Sequence, residues 1–285
     1  MARALQHEQG ISVTGIVMVS PLIDGGLTFH ASQYALGAAL RLPSLAAAAL
    51  ERNGTFSKEA ASEAERFALT DYLTTLAGAP PTGEAASRFY ARVAQVSGIP
   101  VEVVARGRGF IHDNYIKHLR SAEGKVVSRY DASFAVADPH PESQGAHNPD
   151  PLLEGLTRAY GSAYAAYARD ELGFKTELTY QLLASDVNGK WDWGGGGGRA
   201  TASVSNDIRE LLSLTPSFRL LVAHGYSDMV TPYGASRYVL DHLPPIGDPS
   251  RASLQLYRGG HMFYIDAASR RAFSADARTF YQSAQ

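Results

Sequence analysis

Two side chains of this 285-residue chain have the types and settings for proton-transfer chemistry: Asp228 and His261. Asp228 closes the stretch Leu220-Leu-Val-Ala-His-Gly-Tyr-Ser-Asp228, and His261 closes Leu254-Gln-Leu-Tyr-Arg-Gly-Gly-His261-Met262. Each stretch is an apolar run that breaks into a polar, glycine-bearing turn, as a buried parallel strand does where it leaves the carboxyl edge of a sheet. A carboxylate held beside an imidazole fixes the ring's tautomer and stabilises the imidazolium, so the imidazole can act as a base toward a hydroxyl nucleophile. Such a pair calls for a serine. The sharp strand-turn-helix elbow G-x-S-x-G that usually carries it does not occur: Gly225-Tyr-Ser227-Asp228-Met229 lacks the closing glycine, and its serine abuts the proposed acid.

The elements that must position this pair can be read around it. The strands at Arg219–His224 and Ser253–Tyr257 have room between them for a helix over Tyr233–Leu243, the crossover that joins neighbouring parallel strands. A third β-branched run, Ile11–Ser20, stops at Pro21 and follows a short helix that ends at Gly10. From Phe29 to Ser203 the pattern is mainly helical. Helices are expected over Ala60–Leu76, Glu84–Val96 and Pro151–Leu172, the last with Leu152, Leu156, Ala159 and Tyr160 along one face and Gly173 as its stop. Pro100 suits the first turn of a further short helix that Gly107 interrupts, Lys125–Tyr130 reads as a short strand, and Pro139–Pro151 as a loop. Ser205-Asn206 reads as a cap ahead of a helix over Ile208–Leu214. Gly194–Gly198 reads as a flexible tip beside two packed tryptophans, Trp191 and Trp193, since it lacks the G-K-[ST] of a phosphate loop.

Composition bounds the function. With 45% apolar residues the chain can bury a substantial core, and a formal net charge of −2 offers no basic field for nucleic acid or an anionic membrane surface. No apolar run approaches membrane-spanning length, and the first ten residues contain no apolar signal core. The absence of cysteine excludes disulfides, thiolate nucleophiles and cysteine-ligated metals. His112 and His118, and His140 and His147, lack the spacing of a helical zinc pair and read as solvated loop or helix residues. His224 precedes the acid and reads as a packed strand-end residue.

Together Gly225-Tyr-Ser-Asp228, Gly259-Gly-His261-Met262, the Ser20-Pro-Leu-Ile-Asp24 strand exit and the helical insertion resemble the serine carboxypeptidase family, and specifically the part downstream of its nucleophile elbow. Thr231-Pro232 stands where eukaryotic members carry cysteine and asparagine, and Phe263-Tyr264 where they carry valine and proline. The resemblance implies an α/β fold holding the last strands of an α/β-hydrolase sheet, from residues 1–28 and 205–285, with a mainly helical cap at 29–204. It implies Asp228 as acid, His261 as base and Met262 lining the pocket for the leaving residue, with no cofactor or metal. The substrate would be a peptide with a free C-terminus, cut through an acyl-enzyme. The chain would then begin inside a longer protein, leave one sheet edge unpaired and be inactive alone. Without the family, Asp228 reads equally as a turn residue bonding its own backbone, and Met262 equally as ordinary core filling. A non-catalytic peptide-binding module and an esterase are the alternatives.

Overall fold

A computed structural model describes residues 1–282 except 113, 148 and 195. Its elements are α1 (Ala2–Gln9), β1 (Gly15–Val19), α2 (Gly25–Phe29), α3 (Ala35–Arg52), α4 (Lys58–Phe67), α5 (Leu73–Ala77), α6 (Gly83–Ser97), α7 (Val101–Arg106) and α8 (Tyr115–His118). There follow β2 (Lys125–Val127), β3 (Ala135–Ala137), α9 (Pro151–Asp170), α10 (Ser185–Lys190), α11 (Ser205–Leu214), β4 (Arg219–Gly225), α12 (Tyr233–Asp241), β5 (Ala252–Tyr257) and α13 (Ala267–Gln282). The protein is a mixed helix and sheet structure around a three-stranded parallel sheet of order β1-β4-β5; β2 and β3 form a separate antiparallel pair.

β4 is central because its apolar run can be covered on both faces. All of it after Arg219 is buried, whereas β1 is half-buried and ends in the exposed Val19. Gly15 to Val19 pair with Arg219 to Ala223, and Leu220 to Gly225 with Ala252 to Tyr257. The three strands therefore release Ser20, Tyr226 and Arg258 at one common edge. Among the described residues, no strand pairs with the outer edge of β1.

Beside the sheet lies α3, buried without a break from Gly37 to Ala49. A helix apolar all round is an interior helix, and this one is rich in alanine and leucine. Its packing against α12 is close because Gly234 carries no Cβ: one placed there would meet the Leu40 carbonyl oxygen at 2.1 Å.

Several expected elements take different limits. β1 begins at Gly15 rather than Ile11, since the pairing with β4 starts there, and Ile11 is exposed. The helix expected over Ala60–Leu76 starts earlier, with the Ser57 hydroxyl accepting from Ala60 N–H, and is divided into α4 and α5 by a π-helical turn at Ala68–Tyr72. β2 stops at Val127 because the next residues turn away to bond Asp150. Val204, not Ser205, caps α11. On α9 only Leu152 and Ala168 are buried, and Tyr160 is exposed, so the expected face has no cover there. Trp191 is exposed rather than packed, and Trp193 lies under the Arg199 guanidinium, 5.1 Å from the ring centre. Gly194, Gly196 and Gly198 adopt left-handed backbone; Gly195 of that run, and Asn148 of the expected loop, lie outside the described residues.

In a helix with open space, alanine stabilises relative to glycine by roughly 1 kcal/mol. Gly234→Ala reverses that sign, because the new methyl meets backbone. A loss of about 1–3 kcal/mol in chemical denaturation is expected, and a gain would contradict the close crossing of α3 and α12.

Candidate functional site

The turn after β4 buries Asp228 completely. A buried carboxylate must have its lone pairs met by donors. Here Oδ1 accepts from the backbone N–H groups of Val230 (2.8 Å) and Thr231 (3.0 Å), an Asp turn closed on itself. Oδ2 faces out of the turn. It accepts from Thr231 Oγ1 at 3.0 Å and from His261 Nδ1 at 2.9 Å. The one Thr231 hydroxyl proton is shared between Oδ2 and the Ser20 carbonyl oxygen, each 3.0 Å away, and Oγ1 lies 3.1 Å from His261 Nδ1, so Thr231 joins the exits of all three strands.

His224, at the buried end of β4, bonds Ser236 Oγ through Nε2 (2.8 Å). Its Nδ1 stands 3.8 Å from Asp228 Oδ2, too far for a hydrogen bond but close enough for its dipole to act on the carboxylate. Burial pushes the Asp228 pKa up, but His224 and His261 together outweigh it and hold the group at about 2. Asp228 is therefore an anion and accepts only. That dictates the state of His261. Its Nδ1 must carry the proton, which in a neutral ring leaves the lone pair on Nε2. Among the described residues no side chain hydrogen-bonds Nε2, and about a quarter of the His261 side chain is exposed.

The turn after β5 positions this ring by close approach of backbones. Gly259 has φ 107°, a conformation that suits glycine, and a Cβ on Gly260 would lie 2.0 Å from the Tyr130 carbonyl oxygen. Gly225 at the end of β4 is equally tight, with the Gly260 carbonyl oxygen 2.0 Å from where its Cβ would be. The doubled glycine before His261 thus lets two turns and a third segment meet. That third segment is Arg129–Ala132. Met229 N–H donates to the Arg129 carbonyl (3.1 Å), His261 N–H to that of Tyr130 (2.6 Å), and Ser227 Oγ to Asp131 Oδ1 (2.7 Å). The Tyr130 ring stands edge-on to the imidazole with centres 5.6 Å apart. Behind it, Asp150 accepts from Ser128 Oγ and from the backbone N–H of Arg129, Leu152 and Leu153, tying this segment to the start of α9.

Ser20 completes the arrangement. It is one of two described non-glycine residues with positive φ, at 45°, a strain on the order of 1–3 kcal/mol. Its Oγ donates to the His261 carbonyl at 2.7 Å and its N–H to Ala223 at 2.8 Å.

Of the residues singled out from the sequence, the structure brings Asp228 and His261 into direct contact. Met262 follows them half-buried, its carbonyl accepting from Ile265 N–H. Thr231, Tyr130 and Ser20 were not singled out. Thr231 could have been, as the last residue of an Asp-x-x-Thr turn, whereas Tyr130, expected only as the end of a short strand, lies past the end of β2 in a segment remote in sequence. His112 is not solvated as expected: its Nδ1 is shielded from solvent. His140 and His147 meet, ring centres 4.3 Å apart, on an exposed loop. Among the described residues no group of three or more potential ligands could hold a metal ion, and no helix is long and apolar enough to cross a membrane.

Comparison of the chain with models of protein families, with curated proteins and with solved structures finds no match in any of the three.

Because the Asp228 pKa is lowered in the folded state, its ionisation contributes stability above the ordinary carboxylate pKa near 3.8, and that contribution is lost as the pH falls toward about 2. The difference in unfolding free energy between the native chain and Asp228→Asn should shrink by on the order of 2 kcal/mol between pH 5 and pH 2. A difference independent of pH would show that the carboxylate is not held ionised by its neighbours.

Proposed function

We propose that Asp228 and His261 are the acid and base of a serine-type carboxypeptidase with an α/β-hydrolase core. The observation that carries this reading is the bond from His261 Nδ1 to Asp228 Oδ2, at the shared edge of adjacent parallel strands, with Nε2 left unbonded among the described residues. The order of acid before histidine along the chain is that of the α/β-hydrolases. In this reading Nε2 takes the proton of a serine hydroxyl as its oxygen attacks the scissile carbonyl, and later returns it to the leaving amine. Asp228 stays ionised and stabilises the imidazolium throughout.

The serine is not assigned, since the 285 residues contain no G-x-S-x-G elbow. The same bare Nε2 favours a second reading, in which the pair is a retained structural feature of a peptide-binding module. The proposal accordingly holds that the 285-residue polypeptide is inert by itself as a hydrolase. The substrate in this reading is a peptide with a free C-terminus.

Two assays separate these readings. The purified 285-residue chain should take up no fluorophosphonate probe in a His261-dependent manner; labelling that disappears in His261→Ala would overturn its inertness. The protein carrying this sequence, isolated from its own cells, should release C-terminal residues from peptides and spare their C-terminal amides, with His261→Ala lowering kcat by roughly 10⁴-fold or more. Preference for acyl esters would make it an esterase, and the absence of hydrolysis would favour the binding module.

A further inference from the structure

His224 lies beside the proposed acid, on the side away from His261's exposed ring edge, and has no solvent-exposed surface of its own. Asp228 faces its Nδ1 from the turn after β4, and Ser236 of α12 faces its Nε2, with Oγ at 2.8 Å. β1 and β5 place no charged side chain beside it. Tyr257, at the end of β5, sends its hydroxyl to Asp276, and Arg41 of α3 donates to the Met229 carbonyl. Nδ1 has no hydrogen-bond partner among the described residues, although Asp228 Oδ2 is only 3.8 Å away.

A buried ring nitrogen is costly to leave unpaired, so its surroundings set its protonation. Asp228 is an anion and accepts only, which excludes a lone pair on the nitrogen that faces it. Nδ1 of His224 therefore carries a proton, and in a neutral ring Nε2 accepts the Ser236 hydroxyl proton. The ring is thus held from α12 with an N–H on the side of the carboxylate.

The carboxylate has room for this donor. Oδ1 is taken by two backbone N–H groups, whereas Oδ2 holds the His261 Nδ1–H and a Thr231 hydroxyl whose one proton is shared with the Ser20 carbonyl. With the His261 ring turned away, Oδ2 keeps only that shared proton. His261 is partly exposed, so its ring can turn toward solvent, whereas His224 is enclosed. A closure of roughly 1 Å brings His224 Nδ1 into hydrogen-bond range of Oδ2.

We propose that His224 is a positioning residue: a reserve donor that closes onto Asp228 Oδ2 when His261 leaves it, keeping the acid ionised and in place. The use of that reserve rests on the acid and base roles proposed above. An imidazole that turns toward a substrate and back then meets a charged acceptor at the same oxygen each time, and its Nδ1–H returns to the geometry that leaves Nε2 free.

The test uses the 285-residue chain and requires no turnover. Nitrogen-15 NMR reads the protonated nitrogen of His224, and carbon-13 NMR of the aspartate carboxyl groups reads the ionisation of Asp228, assigned by comparison with Asp228→Asn. In the native chain His224 should carry a proton on Nδ1. In His261→Ala that proton should shift downfield as its hydrogen bond shortens, and Asp228 should still titrate below the ordinary carboxylate range. Adding His224→Leu to His261→Ala should raise the Asp228 midpoint by about one pH unit or more. His224→Asn in the same background keeps an N–H near the position of Nδ1 and should reduce that rise. A histidine that only fills space would lower thermal stability in these variants and leave the midpoint where it was.

A His224 ring with a bare Nδ1 in the native chain, an unmoved Nδ1 proton in His261→Ala, or an Asp228 midpoint indifferent to His224 overturns the proposal. The two ring spectra decide it alone if the double variants do not fold. Failure of the hydrolase reading shows separately, as an absence of peptide hydrolysis by the protein isolated from its own cells with these NMR results intact.

Discussion

An ionised carboxylate with no exposed surface is the constraint on which the rest of this structure depends. Asp228 has left water entirely, and an uncompensated charge there would cost several kcal/mol. Compensation arrives from three directions: the backbone of its own turn, the Thr231 hydroxyl and the His261 imidazole. Each donor in turn requires a neighbour to be in place. The Thr231 hydroxyl reaches the end of β1 through the Ser20 carbonyl, and His261 is fixed by its own backbone to Tyr130 and Ser20. The edge of the sheet is thus a connected polar network rather than a row of independent turns.

That network explains the glycines and the strained serine. Three backbones meet where β4 and β5 end, and they approach so closely that no Cβ fits on Gly225 or Gly260. Ser20 accepts an unfavourable φ in exchange for two bonds that hold β1 against β4 and His261. The long helix α3 supports the same edge from beneath, since its Arg41 reaches the carbonyl of Met229, the residue after Asp228. Scaffold and site therefore share residues.

How much of this could be read from the residues follows from the range of the interactions. β4, α12 and β5 were legible because an apolar run, a helical spacing and a second apolar run lie consecutively, and each ends at a glycine-bearing turn. Asp228 and His261 were legible for the same reason. Tyr130 was not, because a loop residue more than a hundred positions from His261 is brought there by Asp150 and by hydrogen bonds between backbones, which leave no mark on side-chain type. α3 gave no amphipathic rhythm because it has no polar face. The opposite failure occurs on α9, whose apolar spacing is clear but whose tyrosines stay exposed, since periodicity marks a face and not its partner. His112 looked like a solvated loop histidine until the fold placed it against Arg41 and Arg129.

The nitrogen of His261 that carries the proton reveals whether Asp228 orients the ring. Nitrogen-15 NMR of the ring, at a pH where it is neutral, reads this directly. A protonated Nδ1 coupled to a strongly shifted hydrogen-bonded proton, together with an unprotonated Nε2, is the predicted result. An Nε2-protonated ring, or the averaged tautomers of a solvent-exposed histidine, would mean that Asp228 does not orient His261, and the acid and base roles proposed for them would fall together.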